Sequence, residues 1–190
     1  MIDKKHITGI ILSGGKSSRM GTDKGFLLLE GKPFVQYSLE ALKPIVSNLM
    51  IVSNNEDYDA FGLKRIEDII ENAGPLAGIY SGLKHSKTEY NLVLSCDIPL
   101  INSEILKKLI NAIDTDSEII QIESDGKTMP LIALYKKKCE HKFLKLLKEG
   151  ERRLQFAVNQ CRVKNVVLNK HEINFTKNIN TPQQLNEIIK

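Results

Sequence analysis

Short apolar runs alternate along this chain with segments in which apolar residues recur at helical spacing. The runs are rich in β-branched residues, which is typical of strands buried in a parallel sheet. They predict strands over residues 7–12, 26–29, 49–52, 64–68, 90–95, 119–122, 131–135 and 163–168. The helical spacing predicts helices over residues 33–42, 76–85, 139–148 and 153–159, a further helix capped by Asn102, and a terminal helix that starts at Thr181 and Pro182.

This alternation of strands and helices predicts an α/β fold with a doubly wound, mostly parallel, Rossmann-like sheet and helices on both faces. Ligands bind such sheets in the crevice outside the carboxyl ends of the strands. We therefore expect four loops to face one crevice. They follow Leu12, Val52, Ile66 and Ser95.

The composition is that of an ordinary globular protein. The 190 residues are 42% hydrophobic and 26% charged, and a chain of this length can bury a full core. No linker or internal repeat interrupts it, so we expect one domain over residues 1–190. The three cysteines are widely spaced and form no C-x-x-C pair, which favours reduced thiols over a zinc site or a disulfide framework. No apolar run approaches a signal peptide or a membrane span, and we expect a cytoplasmic protein.

The net charge of +4 changes this picture little. Nucleic-acid-binding proteins usually carry a concentrated basic stripe with interleaved aromatic residues. Here only 6% of the residues are aromatic and tryptophan is missing from the sequence. The mild positive charge is better suited to an anionic small molecule, so we expect neither a nucleic acid nor a membrane as a partner.

A glycine-rich, basic loop follows the first strand. Gly14 and Gly15 would let backbone N–H groups approach phosphates, and Arg19 and Lys24 would neutralise phosphate charge. A tight turn is the alternative for the glycines, and a solvated charge is the alternative for each cation. The loop is no P-loop, because Ile10 stands where that pattern requires glycine, and G-x-G-x-x-G is absent from the sequence as well.

Asp97 follows a strongly apolar predicted strand, with Cys96 between them. A carboxylate at the carboxyl end of a strand, inside the crevice, is a suitable Mg²⁺ ligand. The alternative is that Asp97 caps the segment that follows it.

The loop sequence belongs to a longer pattern. Leu12-Ser13-Gly14-Gly15, Ser18-Arg19-Met20-Gly21 and Lys24 resemble the nucleotidyltransferase signature L-x-G-G-x-S-x-R-M-G-x-x-K. Within that superfamily the chain is similar to the molybdenum cofactor guanylyltransferase (MobA) family. The further blocks that carry this resemblance are Glu67-Asp68, Gly74-Pro75-Leu76-Ala77-Gly78, Cys96-Asp97-Ile98-Pro99, Gly150-Glu151-Arg152-Arg153 and Asn178-Ile179-Asn180-Thr181-Pro182.

The resemblance implies a role for each block. It implies Arg19, Lys24 and Asp97 as catalytic residues, with Asp97 as the Mg²⁺ ligand. It implies a GTP site, in the N-terminal part of the domain, composed of Leu12, Ser13, Gly14, Gly15, Lys24, Asn54, Asp68, Gly74, Pro75, Leu76, Gly78 and Asp97. It implies a molybdopterin site, in the C-terminal part, composed of Arg152, Arg153, Asn178 and Asn180.

Several of these residues also have simpler interpretations. Amide side chains can form paired hydrogen bonds with a pterin edge, but Asn178 and Asn180 could equally form a capping turn before Pro182. Arg152 and Arg153 could meet the phosphate of molybdopterin or cap a helix. One departure from the family pattern is Met129, which stands where the family more often has histidine, so no histidine role carries over to that position.

The implied reaction is transfer of GMP from GTP to the terminal phosphate of molybdenum-molybdopterin, with release of pyrophosphate. Two alternatives remain open. The first is a sister nucleotidyltransferase, either a molybdopterin cytidylyltransferase or a sugar-phosphate enzyme. The second is a non-catalytic nucleotide-sensing module. The resemblance leaves open which proteins deliver molybdopterin and which molybdoenzymes accept the product.

Overall fold

Seven of the strands form one sheet in the computed structural model, which describes residues 2–14, 23–181 and 183–184. The strands are β1 (Ile7–Leu12), β2 (Leu28–Leu29), β3 (Lys32–Pro33), β4 (Asn48–Val52), β5 (Lys64–Ile66), β6 (Tyr90–Ser95), β7 (Ile119–Ser124), β8 (Lys127–Lys136) and β9 (Val163–Val167). The α-helices are α1 (Phe34–Leu42), α2 (Gly74–His85), α3 (Ser103–Asn111), α4 (Cys139–Lys148) and α5 (Leu154–Asn159). Short 3₁₀-helices cover Lys4–His6, Lys24–Phe26, Glu56–Phe61 and Lys170–Thr176.

The strand order of the large sheet is β5-β4-β1-β6-β8-β7-β9. All neighbouring pairs are parallel except the two that involve β8. The exception follows from the turn at Asp125 and Gly126, where both residues have positive φ angles of 51° and 69°. This conformation suits a two-residue hairpin, so β8 must return beside β7 in the opposite direction. The predicted mostly parallel α/β sheet is therefore confirmed.

The register of the parallel strands determines where the ligand crevice lies. Leu12 is paired with Val52 on one side and with Ser95 on the other, and Val52 is paired with Ile66. Four strands therefore end in line at one edge of the sheet. The loops after them leave from the same place, as the sequence predicted.

Helices cover both faces of the sheet. Ile11 belongs to an apolar cluster with Val35 of α1 and Leu106 of α3. The neighbouring residue Ile10 points to the other face, where it belongs to a cluster with residues of α2 and α4 such as Leu76. Because side chains alternate along a strand, a continuous apolar run such as β1 indicates burial on both faces.

Several of the predicted boundaries shift by one or two residues, and β8 begins at Lys127, four residues before its predicted start. Three differences are local to the site. The chain forms a 3₁₀ turn at Lys24–Phe26 before the short β2, so the predicted strand over residues 26–29 keeps only its second half. Pro33 ends β3 and precedes α1 instead of lying within the helix. Helix α2 begins at Gly74, two residues before the predicted start, because Pro75 has the φ angle that a first helical turn requires.

The predicted start of the terminal helix at Pro182 lies outside the described residues. None of the helices in the described ranges combines the length and the apolarity that a bilayer crossing requires.

Candidate functional site

A cleft of about 720 Å³ opens at the edge where the four parallel strands end. Its lining includes eight of the residues that the sequence assigned to the nucleotide site: Leu12, Ser13, Gly14, Asn54, Asp68, Gly74, Pro75 and Gly78. Asp23, Asn55 and Asn72, which the sequence did not assign, also line it. Of the predicted residues, Gly15 and Arg19 lie outside the described part of the chain.

Backbone hydrogen bonds continue past the strand ends and fix the first loop residues. Ser13 N donates to the Val52 carbonyl at 3.0 Å, and Cys96 N donates to the Leu12 carbonyl at 3.1 Å. Gly14 has a φ of 129°, a conformation that favours glycine. The buried Ser13 hydroxyl has no hydrogen-bond partner among the described residues.

Asn54 and Asp68 form a second corner of the cleft. The Asn54 Oδ1 atom accepts a hydrogen bond of 2.8 Å from Asp68 N, which ties the loop after β4 to the loop after β5. Asp68 Oδ1 is buried without a partner among the described residues, and burial raises the pKa of this carboxyl. Gly78 packs below it, since a Cβ there would lie 3.6 Å from Asp68 Oδ1. A buried acceptor of this kind suits a ligand that offers N–H or O–H groups.

Lys24, Asp97 and Asn180 meet beside the cleft, next to its lining residues Asp23 and Ser95, in a group that we call the third corner. The Lys24 ammonium lies 3.4 Å from Asp97 Oδ2 and also donates to Asn180 Oδ1. Ser95 Oγ donates to Asp97 Oδ1 at 2.7 Å, so both carboxylate oxygens have a partner. The Lys24 and Asp97 side chains are only 24% and 14% exposed, a setting in which water screens charge weakly.

The segment around Asn180 is held to this corner by its backbone. Ile179 N donates to the Asp97 carbonyl at 2.8 Å. The Ile179 side chain is 1% exposed and packs with Leu29 and Phe34. The predicted nucleotide half and the predicted pterin half of the site are therefore in direct contact, through residues 156 positions apart in the chain.

The turn that carries Lys24 is organised by residues that the sequence did not point to. Asp23 Oδ1 accepts hydrogen bonds from Gly25 N at 3.1 Å and from the Tyr58 hydroxyl at 2.6 Å. Asn55 Nδ2 lies 3.5 Å from Asp23 Oδ2. An aspartate two residues before a glycine is a recognisable turn signal, and it is a clue that the sequence offers.

The donor set of the cleft fits a magnesium ion that is shared with a ligand. Within the described ranges no group of three histidine, cysteine, aspartate or glutamate side chains could form a complete metal cage. Mg²⁺ does not need one, because it usually binds one or two carboxylates together with substrate phosphates. Asp97 offers such a carboxylate at the end of β6, beside the cleft.

Leu76, Arg152 and Arg153 belong neither to the lining of the cleft nor to the third corner. The Leu76 side chain is fully buried in the core, so its contribution to the block is packing. The Arg152 guanidinium donates to the carbonyls of Leu147 and Glu151 at the end of α4. Arg153 pairs with Glu151 at 2.7 Å, and this pairing lowers the Glu151 pKa to about 2. The contacts of Arg152 favour its helix-capping interpretation, whereas Arg153 forms an ion pair and its side chain makes no cap hydrogen bond to α5.

Asn178 belongs neither to the residues that line the cleft nor to those whose side chains are held by protein partners. Its Oδ1 atom is buried without a hydrogen-bond partner among the described residues. It precedes Ile179, whose backbone is bound to Asp97, and is therefore close along the chain to the third corner.

Comparisons with known proteins relate the chain to one family. Residues 9–163 match the model of the MobA-like NTP transferase domain. A probable molybdenum cofactor guanylyltransferase of Flavobacterium johnsoniae is 38% identical over 96% of both chains. A molybdenum cofactor guanylyltransferase of Vibrio campbellii is 31% identical over 97% of this chain and 96% of that protein.

Solved structures agree as well. A protein of Aquifex aeolicus VF5 superposes with a TM-score of 0.81 and 26% identity over 95% of this chain and 96% of its own. The molybdopterin-guanine dinucleotide biosynthesis protein A of Archaeoglobus fulgidus superposes with a TM-score of 0.78 over 95% of both chains. At 24% identity, this second likeness concerns the fold.

Proposed function

Because the chain belongs to the MobA-like NTP transferase family and is therefore a nucleotidyltransferase, we propose that it transfers GMP from GTP to the terminal phosphate of molybdenum-molybdopterin. The products are molybdopterin guanine dinucleotide and pyrophosphate. The observation that carries the proposal is the meeting of Lys24, Asp97 and Asn180 beside the cleft. This contact joins Lys24 and Asp97, which would neutralise phosphate charge, to the segment around Asn180 that the sequence assigns to the pterin.

The reaction does not need a strong general base. An oxygen of the acceptor phosphate attacks the α-phosphorus of GTP and forms a new P–O bond. The bond between the α-phosphorus and the bridging oxygen breaks, and pyrophosphate leaves with the electron pair. The attacking oxygen is already ionised near neutral pH, so catalysis consists mainly of positioning and charge neutralisation.

The nucleotide half of the cleft provides phosphate and base contacts. The backbone of Ser13 and Gly14 would cradle the phosphates, continued by Gly15 and Arg19 in the loop. Asn54 and Asp68 would hold the guanosine, with the buried Asp68 Oδ1 as acceptor for its N–H or O–H groups. Pro75 and Gly78 line the cleft at the start of α2, where the flat ring of the base would lie against the helix.

The negative charge of the phosphates would be neutralised at the third corner. Asp97 would hold Mg²⁺, which supplies neutralisation of the phosphate oxygens when bound. Lys24, released from Asn180, would donate to the α-phosphate as negative charge develops there. Asn178 and Asn180 would bind the pterin of the acceptor, which would bring its phosphate toward Lys24.

The direct test is a reconstituted reaction. With GTP, Mg²⁺ and molybdenum-loaded molybdopterin, the protein should release pyrophosphate and form a guanylated pterin in equal amounts. Pyrophosphate is followed by a coupled assay and the pterin product by mass spectrometry. A reaction without acceptor corrects for slow hydrolysis of GTP.

Parallel reactions separate the alternatives. Faster transfer from CTP, or transfer to a sugar 1-phosphate but not to molybdopterin, would replace the proposal with a sister enzyme. Tight GTP binding without pyrophosphate release in any of these mixtures would favour the sensing module and reject the proposal.

Asn180 provides a second prediction. Asn180→Ala should raise the KM for molybdopterin and also lower kcat by about tenfold, since it removes a partner that orients Lys24 before the phosphates bind. Asn178→Ala should raise the KM for molybdopterin alone, because the described residues show no bond between Asn178 and Lys24. Steady-state kinetics at saturating GTP measure both parameters. Identical kinetic profiles for the two variants would contradict this division of roles.

A further inference from the structure

The buried hydroxyl of Tyr58 lies directly beneath the turn that carries Lys24. Tyr58 is fully buried in the 3₁₀-helix Glu56–Phe61, which follows β4. Its hydroxyl donates to Asp23 Oδ1 at 2.6 Å, and the same oxygen accepts from Gly25 N. Asp23 and Gly25 flank Lys24, so one hydrogen-bonded carboxylate determines the direction in which the lysine leaves the turn.

The packing around this hydroxyl leaves little freedom. A Cβ at position 25 would collide with the Tyr58 hydroxyl, so the backbone of the turn lies directly against it. The Phe26 ring packs on the Tyr58 ring with centroids 4.5 Å apart, and Phe61 lies beside both. These rings support the turn from below, while the Tyr58 hydroxyl contacts the Asp23 carboxylate, which is the charged group of the turn beside Lys24.

The Asp23 carboxylate is a negatively charged group in a cleft that would bind phosphates. It lines the cleft in which the nucleotide phosphates would lie, and a free negative charge there would repel them. Gly25 N and the Tyr58 hydroxyl bind one of its oxygens, and Asn55 Nδ2 lies 3.5 Å from the other. These contacts hold the carboxylate back toward the protein. Burial raises the pKa of Tyr58, which keeps the hydroxyl protonated as a donor.

We propose that Tyr58 is a positioning residue for phosphate chemistry, acting through Asp23 to aim the Lys24 ammonium at the reacting phosphate. The proposal rests on the proposed function only in that Lys24 acts on nucleotide phosphates. It assigns Tyr58 no contact with the substrate. A purely structural role in the core is the competing explanation, and the ring alone would fulfil that role.

Tyr58→Phe keeps the ring and removes the hydroxyl. Tyr135→Phe is the matched control, because Tyr135 is also fully buried and its hydroxyl donates to the Pro130 carbonyl at 2.7 Å. Tyr58→Phe should lower kcat by about tenfold, whereas Tyr135→Phe should leave kcat within about twofold of wild type. Both variants should lose similar amounts of thermal stability.

Two further measurements isolate the positioning role. If Tyr58 acts through Asp23, adding Tyr58→Phe to Asp23→Ala should cause no further loss of kcat. The second measurement needs no acceptor: an amine-reactive reagent should label Lys24 at least about threefold faster in Tyr58→Phe, because the loosened turn releases the ammonium from Asn180. Lys32, an exposed lysine paired with Glu40, is the internal control.

Failure of the Tyr58 proposal can be distinguished from failure of the proposed function in the reconstituted reaction. Faster labelling of Lys24 alone supports the proposal even if molybdopterin is the wrong acceptor. Unchanged labelling of Lys24, equal kcat losses in the two tyrosine variants, or an additive double variant would each overturn it. In those cases Tyr58 would be a core residue with a satisfied hydroxyl.

Discussion

Asp97→Asn should lower kcat by about 10³-fold or more while the protein stays folded. The substitution keeps the size of the side chain and an oxygen that can accept from Ser95 or Lys24. It removes the negative charge that would hold Mg²⁺ and that lies beside the Lys24 ammonium. We expect the free energy of unfolding to change by only about 1 kcal/mol, since one or two hydrogen bonds are weakened.

Kinetics across a range of Mg²⁺ concentrations test the cause of this loss. If Asp97 holds the metal, the variant should need much more Mg²⁺ for its residual activity. Glu67→Gln is the matched control, because Glu67 follows β5 at the same edge of the sheet and its side chain is 68% exposed. That variant should keep its activity within about twofold. Mg²⁺-dependent turnover near the wild-type rate in Asp97→Asn would remove the metal assignment.

The edge of the sheet that carries Asp97 could be predicted from the sequence. Strands buried on both faces appear as unbroken apolar runs, and each run stops where polar residues begin. The ends at Leu12, Val52 and Ser95 were predicted at these residues, and the register brings them into line. The parallel arrangement then places the loops together without further information.

The contacts around Lys24 could not be predicted in this way. Lys24 and Asn180 are 156 positions apart, and Tyr58 is 35 positions from Asp23. Neither the helical nor the strand period describes the segment Glu56–Phe61, so no sequence pattern indicates that Tyr58 is buried. The family blocks identified Asn180 as a pterin residue, but its contact with Lys24 depends on Ile179, which attaches the segment to the Asp97 backbone.

A sequence block also does not reveal which of its side chains face a ligand. In the block from Gly74 to Gly78, rotation along α2 turns Leu76 into the core and places Gly78 against Asp68. In the block that contains Arg152, its Nη1 atom donates to the carbonyls of Leu147, in α4, and of Glu151, just after it. Helix phase and local capping decide both cases, and these become visible only in three dimensions.

Lys24→Ala should lower kcat by about 10²- to 10³-fold, as expected when one preorganised donor to a developing charge is lost. In the free protein the ammonium is held by Asn180 and Asp97, so it is already oriented before the nucleotide binds. Lys24→Arg should recover little activity, because the larger planar guanidinium does not fit a site built for a compact ammonium. Lys32→Ala, in an exposed lysine of the neighbouring hairpin, is the control.

The division between kcat and KM distinguishes two roles for Lys24. An interaction made only in the transition state lowers kcat and kcat/KM by the same factor, whereas uniform phosphate binding raises the KM for GTP and spares kcat. Because Asp97 and Asn180 already occupy the ammonium in the free protein, binding GTP must exchange these partners for phosphate oxygens. The net gain in the ground state should therefore be small, and we expect the KM for GTP to change by less than about threefold. A large rise in KM at constant kcat would instead make Lys24 a substrate-binding residue and leave the chemical step to Asp97 and the glycine-rich loop.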